Sequence, residues 1–170
     1  MNRGCSLPEL LLGAALLTLL AGVSFGSGVS ALARQRLEGA SRRLSQGLEE
    51  ARAAAEQRGE ACAIRLLPAG WSAATSALPS CLPAATSDGE GFDEAQVQLS
   101  HNLPAQVRIN ANGLPIDGGT VVIRATGTSE QRCLVLSLPL GVVRLGRYSG
   151  ASGGLVSSAA CQPDPSPQGS

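Results

Sequence analysis

Five cysteines, one histidine and thirteen basic residues are the side chains through which this chain could do chemistry. The lone histidine, His101, confines any imidazole base to one position, and no G-x-S-x-G nucleophile motif accompanies it. His101 therefore reads as a surface or turn residue, no enzyme is expected, and a zinc site built on several histidines is excluded. Zinc on thiolates would draw on Cys62, Cys81, Cys133 and Cys161, but the intervening 18, 51 and 27 residues contain no C-x-x-C knuckle. As disulfides the same four allow three connectivities. Cys62–Cys81 with Cys133–Cys161 is favoured, because each closes a local loop that lacks other constraint, for about 3 kcal/mol apiece in chain-entropy terms. Asp88, Glu90, Asp93 and Glu94 place hard oxygen ligands in a glycine-containing segment without EF-hand spacing, so a solvated acidic loop is expected rather than a calcium site. No cofactor is expected.

All thirteen basic residues are arginine, and thirteen acids balance them to zero net charge. The balance is uneven along the chain. Residues 34–60 hold six Arg against five Glu (net +1), residues 61–94 hold Arg65 against four acids (net −3), and residues 95–170 hold five Arg against three acids (net +2). Arg124, Arg144 and Arg147 of that last stretch are candidate contacts to DNA phosphates, which arginine and backbone amides hold without reading sequence. The plainer role is to keep strand edges soluble. With only Phe25, Trp71, Phe92 and Tyr148 as aromatics, a base-stacking platform is not expected.

The elements that must position these residues begin with an apolar run. Residues 10–33 are 24 residues without a charge. As a helix they span about 36 Å, enough to cross a bilayer. Arg3 before the run and Arg34 and Arg36 after it leave orientation undecided. Ala31-Leu32-Ala33 resembles a signal-peptidase site, but the run is long for a signal peptide. Glu9 stands at its edge, where a carboxylate is costly and functional by default; a headgroup-level place in an ordinary anchor is the alternative. Beyond the run, Leu37, Ala40, Leu44, Leu48, Ala51 and Ala55 recur at helical steps. Arg58-Gly59 supplies a basic last turn and a terminating glycine. One helix over 7–58, roughly 75 Å long, is predicted. After it the period changes to that of strands, at 61–67, 96–99, 106–110, 120–125, 133–138 and 142–148. Residues 68–71 read as a turn, 72–94 as a long loop, and the Pro-rich 162–170 as a disordered tail. A long helix followed by five or six antiparallel strands is an α+β plan.

Gly4-Cys5-Ser6-Leu7-Pro8-Glu9-Leu10-Leu11-Leu12 resembles the prepilin signal of type IV pilins and pseudopilins. Counted from Cys5, Glu9 is the fifth residue, as in that family; Cys5 stands where the family usually has Phe. The resemblance implies cleavage between Gly4 and Cys5 by a prepilin peptidase and N-methylation of Cys5. It also pairs Glu9 with the free amine of a neighbouring subunit's first residue. The rest of the chain resembles the GspH/FimT branch through Ala51-Arg52-Ala53, Trp71 after the first strand, and the run from Leu136 to Arg144. Some FimT-like members carry Gly-Arg-x-Arg at the final turn, where this chain has Gly141-Val142-Val143-Arg144. The implied organisation is a leader (1–4), a transmembrane assembly helix (5–33), its amphipathic continuation (34–59), a β head (60–161) and a tail (162–170). The implied role is a minor pilin or pseudopilin of a type II secretion system or type IV pilus. It would sit in the inner membrane with its head extracytoplasmic, among other pilins, the prepilin peptidase and the assembly platform. A DNA-binding pilus-tip subunit and a membrane-anchored domain that never polymerises are the competing readings.

Overall fold

The computed structural model of the chain describes residues 7–75, 77–82, 91–151 and 153–164, without the side chains of residues 9, 14 and 16–27. A single helix, α1 (Leu7–Arg58), runs for 52 residues, about 78 Å at 1.5 Å per residue. Its apolar stripe is what the head encloses: Leu37, Ala40, Leu44, Leu48, Ala51 and Ala55 are each at most 3% exposed, and burial starts at Ala33. Gly59 ends the helix with φ +63°, the left-handed conformation that glycine takes without a Cβ penalty.

Among the described residues, eight antiparallel strands come after the helix: β1 (Cys62–Leu67), β2 (Gly70–Ala73), β3 (Val97–His101), β4 (Val107–Ile109), β5 (Gly119–Ala125), β6 (Gln131–Ser137), β7 (Val142–Tyr148) and β8 (Cys161–Pro163). They form a three-stranded sheet, β2-β1-β4, and a five-stranded sheet, β3-β5-β6-β7-β8. Both sheets turn one face to α1. Ile64, Val107 and Ile109 come from the first, and Val121, Ile123, Leu134 and Leu136 from the second, all in one core with the helix stripe. This is an α+β, pilin-like arrangement. The outer face of the larger sheet is covered in turn by the segment after β7. Ser157 N–H donates to the Tyr148 hydroxyl (3.2 Å), Asn102 Nδ2 donates to the Val156 carbonyl (3.2 Å), and Val156 and Ala160 pack on Val122 and Cys133.

Three sequence expectations are corrected. Trp71 is in a strand, not a turn. Gly70 (φ +121°) closes the reversal early, so Trp71 pairs with Leu66, and its indole N–H donates to the Leu44 carbonyl of α1 (2.7 Å). The loop expected at 72–94 thus starts only after Ala73, and Ser80 bridges Ala63 within it. The tail does not begin at 162, because residues 161–163 pair with β7 as an edge strand, where a proline is tolerated. The head therefore has eight strands where five or six were expected, with β2 and β8 missing from the sequence reading.

Leu44 is central to the stripe and 1% exposed. Leu44→Ala is expected to cost about 2–5 kcal/mol, the range for truncating a buried leucine, read as a lowered denaturation midpoint in a chain that keeps both disulfides.

Candidate functional site

The processing residues come first in the chain. Gly4 and Cys5 lie outside the described residues, as does the side chain of Glu9. The start of α1 beyond them is bare: Leu7, Leu10, Leu11 and Leu12 are 64% to 73% exposed, and Val29 and Leu32 are 62% and 52% exposed. Among the described residues no helix is long and apolar enough to cross a membrane. The middle of the uncharged run, 16–27, has its side chains outside that description.

The four head cysteines form two disulfides, Cys62–Cys81 and Cys133–Cys161. The first ties the start of β1 to the segment after Ser80, whose carbonyl also accepts from Arg58 at the helix end (2.7 Å). The second delivers residue 161 to the edge of β7. There the chain is caught again: Arg132 on β6 pairs with Glu38 of α1 (2.5 Å) and with Asp164 (2.7 Å), its own side chain 14% exposed. Burial works against the Arg132 charge, but hydrogen bonds to Glu38 and Asp164 outweigh it, and the guanidinium pKa is raised. Gly146 makes the close approach possible, since a Cβ there would collide with the Gln162 carbonyl. Nearer the C-terminal end of the helix, Arg52 donates to the carbonyls of Gly113 (2.9 Å) and Gly141 (3.4 Å), joining α1 to two loops at once. Asp117 accepts from the side chain of Arg108 (2.8 and 2.9 Å) and from its backbone N–H (2.9 Å). The Arg108 hydrogen bond holds the Asp117 carboxyl below its usual pKa, with burial opposing.

The arginines singled out for DNA are not gathered. Val143 and Leu145 of β7 pack on the helix-side core, so Arg147 shares their face while Arg144, opposite Val135, takes the other. Arg147 lines a small concavity with Glu38, Glu130 and Arg132. Arg124 is engaged with Gln131 (3.0 Å) and Ser100 (3.4 Å). His101 ends β3, exposed. Of the acidic segment, Asp88 and Glu90 lie outside the described residues. Asp93 accepts from the Ala95 N–H (3.0 Å) and from Gln96 (2.7 Å), as a turn-forming carboxylate does. Among the described residues, no three His, Cys, Asp or Glu side chains cluster in a way that would hold a metal ion.

With a helix-on-sheet head and no reactive groups gathered among the described residues, the comparison with known families decides the class. Residues 40–139 match the family model for type II transport protein GspH. The chain belongs to the GspH family. The match runs from the buried helix stripe through β6 to the turn before β7, which is the part of the head closed around α1. No curated protein and no solved structure matches the chain. Family membership makes this GspH-type chain a pseudopilin or minor-pilin subunit associated with type II secretion, whose kind is structural and assembles with other pseudopilins.

The residues that close this GspH-type head, Arg132, Asp164, Asp117 and Gly146, carried no local signal in the sequence; their partners are distant, except that Asp117 in its Asp-Gly-Gly turn sits nine residues from Arg108. Arg132→Ala is expected to cost about 1–3 kcal/mol, the scale of charge-assisted hydrogen bonds, and to speed amide exchange at 161–164 more than in β5. The Asp117 contribution has a definite sign. A carboxyl whose pKa is lowered on folding stabilises above its unfolded value of about 4 and loses that stabilisation as pH falls through the folded value. The stability gap between wild type and Asp117→Asn should therefore be open at neutral pH and narrow below about pH 4, as read by denaturant titration.

Proposed function

We propose that the chain enters the inner membrane through residues 5–33, is cut between Gly4 and Cys5 by a prepilin peptidase, and is N-methylated at Cys5. It then joins a pseudopilus-like filament with the helix continuation, 34–59, and the β head, 60–161, in the extracytoplasmic space. The observation that carries this reading is the bare apolar part of α1, Leu7 to Leu12 together with Val29 and Leu32, continuous with a stripe the head does bury. Each large aliphatic side chain gains about 1.5–3 kcal/mol when taken out of water. A bilayer supplies that environment before assembly and a bundle of like helices supplies it afterwards. The backbone needs no change between the two, since its hydrogen bonds are internal to the helix.

Within such a bundle Glu9 acquires a use. A carboxylate in hydrocarbon is costly alone, and the amine of a neighbouring subunit's first residue relieves its desolvation cost while having its own relieved. The pair fixes the axial register between subunits. The function is then assembly, carried out with other pseudopilins on an inner-membrane platform, and the two disulfides suit an oxidising compartment outside the cytoplasm.

The intact mass of the chain from its native membrane tests the reading. The expected result is loss of residues 1–4 and one added methyl group on Cys5. A full-length mass would leave an anchored domain outside the assembly class, and a cut near Ala33 would make the apolar run a signal peptide. Glu9→Ala is expected to be cut normally yet to be lost from sedimenting filament; unchanged incorporation would remove Glu9 from the mechanism.

A further inference from the structure

Sheet pairing leaves one stretch of β7 bare. On one side β6 pairs with it from Val142 to Arg147, whereas β8 covers the other side only from Gly146 to Tyr148. Past β8 one more bond is made, from the Asp164 N–H to the Leu145 carbonyl (3.3 Å). Backbone groups alternate sides along a strand, so Val143 is the next residue whose N–H and carbonyl face the open side. Among the described residues no hydrogen bond reaches either group. The turn before the gap carries Leu138 and Leu140, and Val142 starts it; the three are 47% to 71% exposed. An open edge with apolar neighbours is a template for a foreign strand. The helix is anchored at both ends of the gap. Arg132 holds Glu38 together with Asp164, and Arg52 reaches the Gly141 carbonyl. Between those contacts Arg42, Ser45 and Glu49 fall on the flank of Glu38 and Arg52, at steps of four, three, four and three.

Beyond the described residues the chain continues from Asp164 as Pro165-Ser166-Pro167-Gln168. We propose that this segment extends β8 along the bare edge of β7, with Ser166 opposite Val143 and exchanging both backbone hydrogen bonds with it. The closure is a property of a single head and does not rest on assembly. Its register is set by Pro163 opposite Gly146 and by the Asp164–Leu145 bond, which bring Pro165 opposite Arg144 and Pro167 opposite Val142. The prolines suit that register. Asp164 aims its N–H at β7, so alternation turns Ser166 and Gln168 the same way, and Pro163, Pro165 and Pro167 outward. Each missing N–H then falls where the ladder needs none. A slip of one residue would turn the prolines against β7 and leave its carbonyls without donors. The side chains suit their faces as well. Period two puts Ser166 on the face of Asp164, toward the polar flank of α1, and Pro165 and Pro167 on the outer face beside Arg144 and the exposed Val142. The new edge shows three residues without an N–H on its outer side, so a further strand has no regular ladder to join.

Disulfide trapping in the full chain, solubilised from its membrane, tests the register. Val142→Cys with Pro167→Cys sets two thiols directly opposite in a non-hydrogen-bonded pair, about 4.5 Å apart at Cα and within disulfide range. After mild oxidation, peptide mass mapping is expected to find an intrachain link between positions 142 and 167. Little link is expected when Val142→Cys is combined with Ser166→Cys, which is one residue out of register and on the opposite face. Hydrogen exchange reads the same contact without added cysteines. Deleting residues 165–170 should speed exchange of the Val143 amide about fivefold or more, the factor for one hydrogen bond, and leave Val121 to Ile123 unchanged. Ser166→Pro, which removes the N–H aimed at the Val143 carbonyl, should have the same effect, and Pro165→Ala should have none. No intrachain link, equal links in the two cysteine pairs, or a Val143 amide indifferent to the deletion overturns the proposal. A link between two chains instead of within one overturns it too, by giving the edge to a second copy.

Discussion

One continuous helix is buried by the head along one part and bare along another, and the rest of the molecule is arranged around that division. From Ala33 to Ala55 its inner side is built of alanines and leucines. The alanines at 33, 40, 51 and 55 let two sheets close on the backbone, and Leu37, Leu44 and Leu48 fill the space between. Toward the N-terminus the same helix presents leucines that nothing in the head touches, from Leu7 to Leu12. A helix can serve both because its peptide groups are already paired internally, so only the side chains need to suit each medium. The head then has to be built entirely on one side of the C-terminal part of α1, which explains why both sheets share a single core with it.

A head of this kind, with few aromatics, has a thin core, and its closure depends on a small set of long-range ties. The Cys133–Cys161 bridge brings the end of the chain across the outer face of the large sheet, where Tyr148 and Asn102 hold the covering segment. Arg132 then connects three separate parts, β6, α1 through Glu38, and the chain end through Asp164. Without the tie, the covering segment would be left with one disulfide, a three-residue edge strand and the hydrogen bonds to Tyr148 and Asn102. That segment is the layer that keeps the outer face, Val122 and Cys133 among it, from water.

The helix was legible in the sequence because its signal is local. The six stripe positions from Leu37 to Ala55 are all buried, and the Arg58-Gly59 ending is where the helix ends. Strand periodicity located six strands to within two residues. The two strands that escaped are those set by distant partners. Trp71 is placed by the Leu44 carbonyl and by Gly47, where a Cβ would come within 2.7 Å of the indole. Residues 161–163 are placed by a disulfide and an ion pair against their own Pro-rich composition. The charge sum over the last strands had a similar weakness. It added Arg144 and Arg147 as neighbours, although three residues along a strand puts them on opposite faces. Of the processing residues, only the sequence speaks, since Gly4, Cys5 and the Glu9 side chain lie outside the described part of the molecule.

The exclusive use of arginine among the basic residues fits this division of labour. A guanidinium offers several donors in one plane, so it can hold two acceptors at once where an ammonium acts as a point charge. Arg132 does this with two carboxylates, Arg52 with two backbone carbonyls and Glu49, and Arg108 with both oxygens of Asp117. Arg132 and Arg52 thereby join α1 to parts of the head, and Arg108 reinforces the bridge between Ile109 and Pro115. The arginines left over on α1, Arg36, Arg42 and Arg43, are exposed and make no ion pair among the described residues. Two of them, Arg36 and Arg43, stand beside the loop before β3, where they line concavities with Gly91 and Phe92.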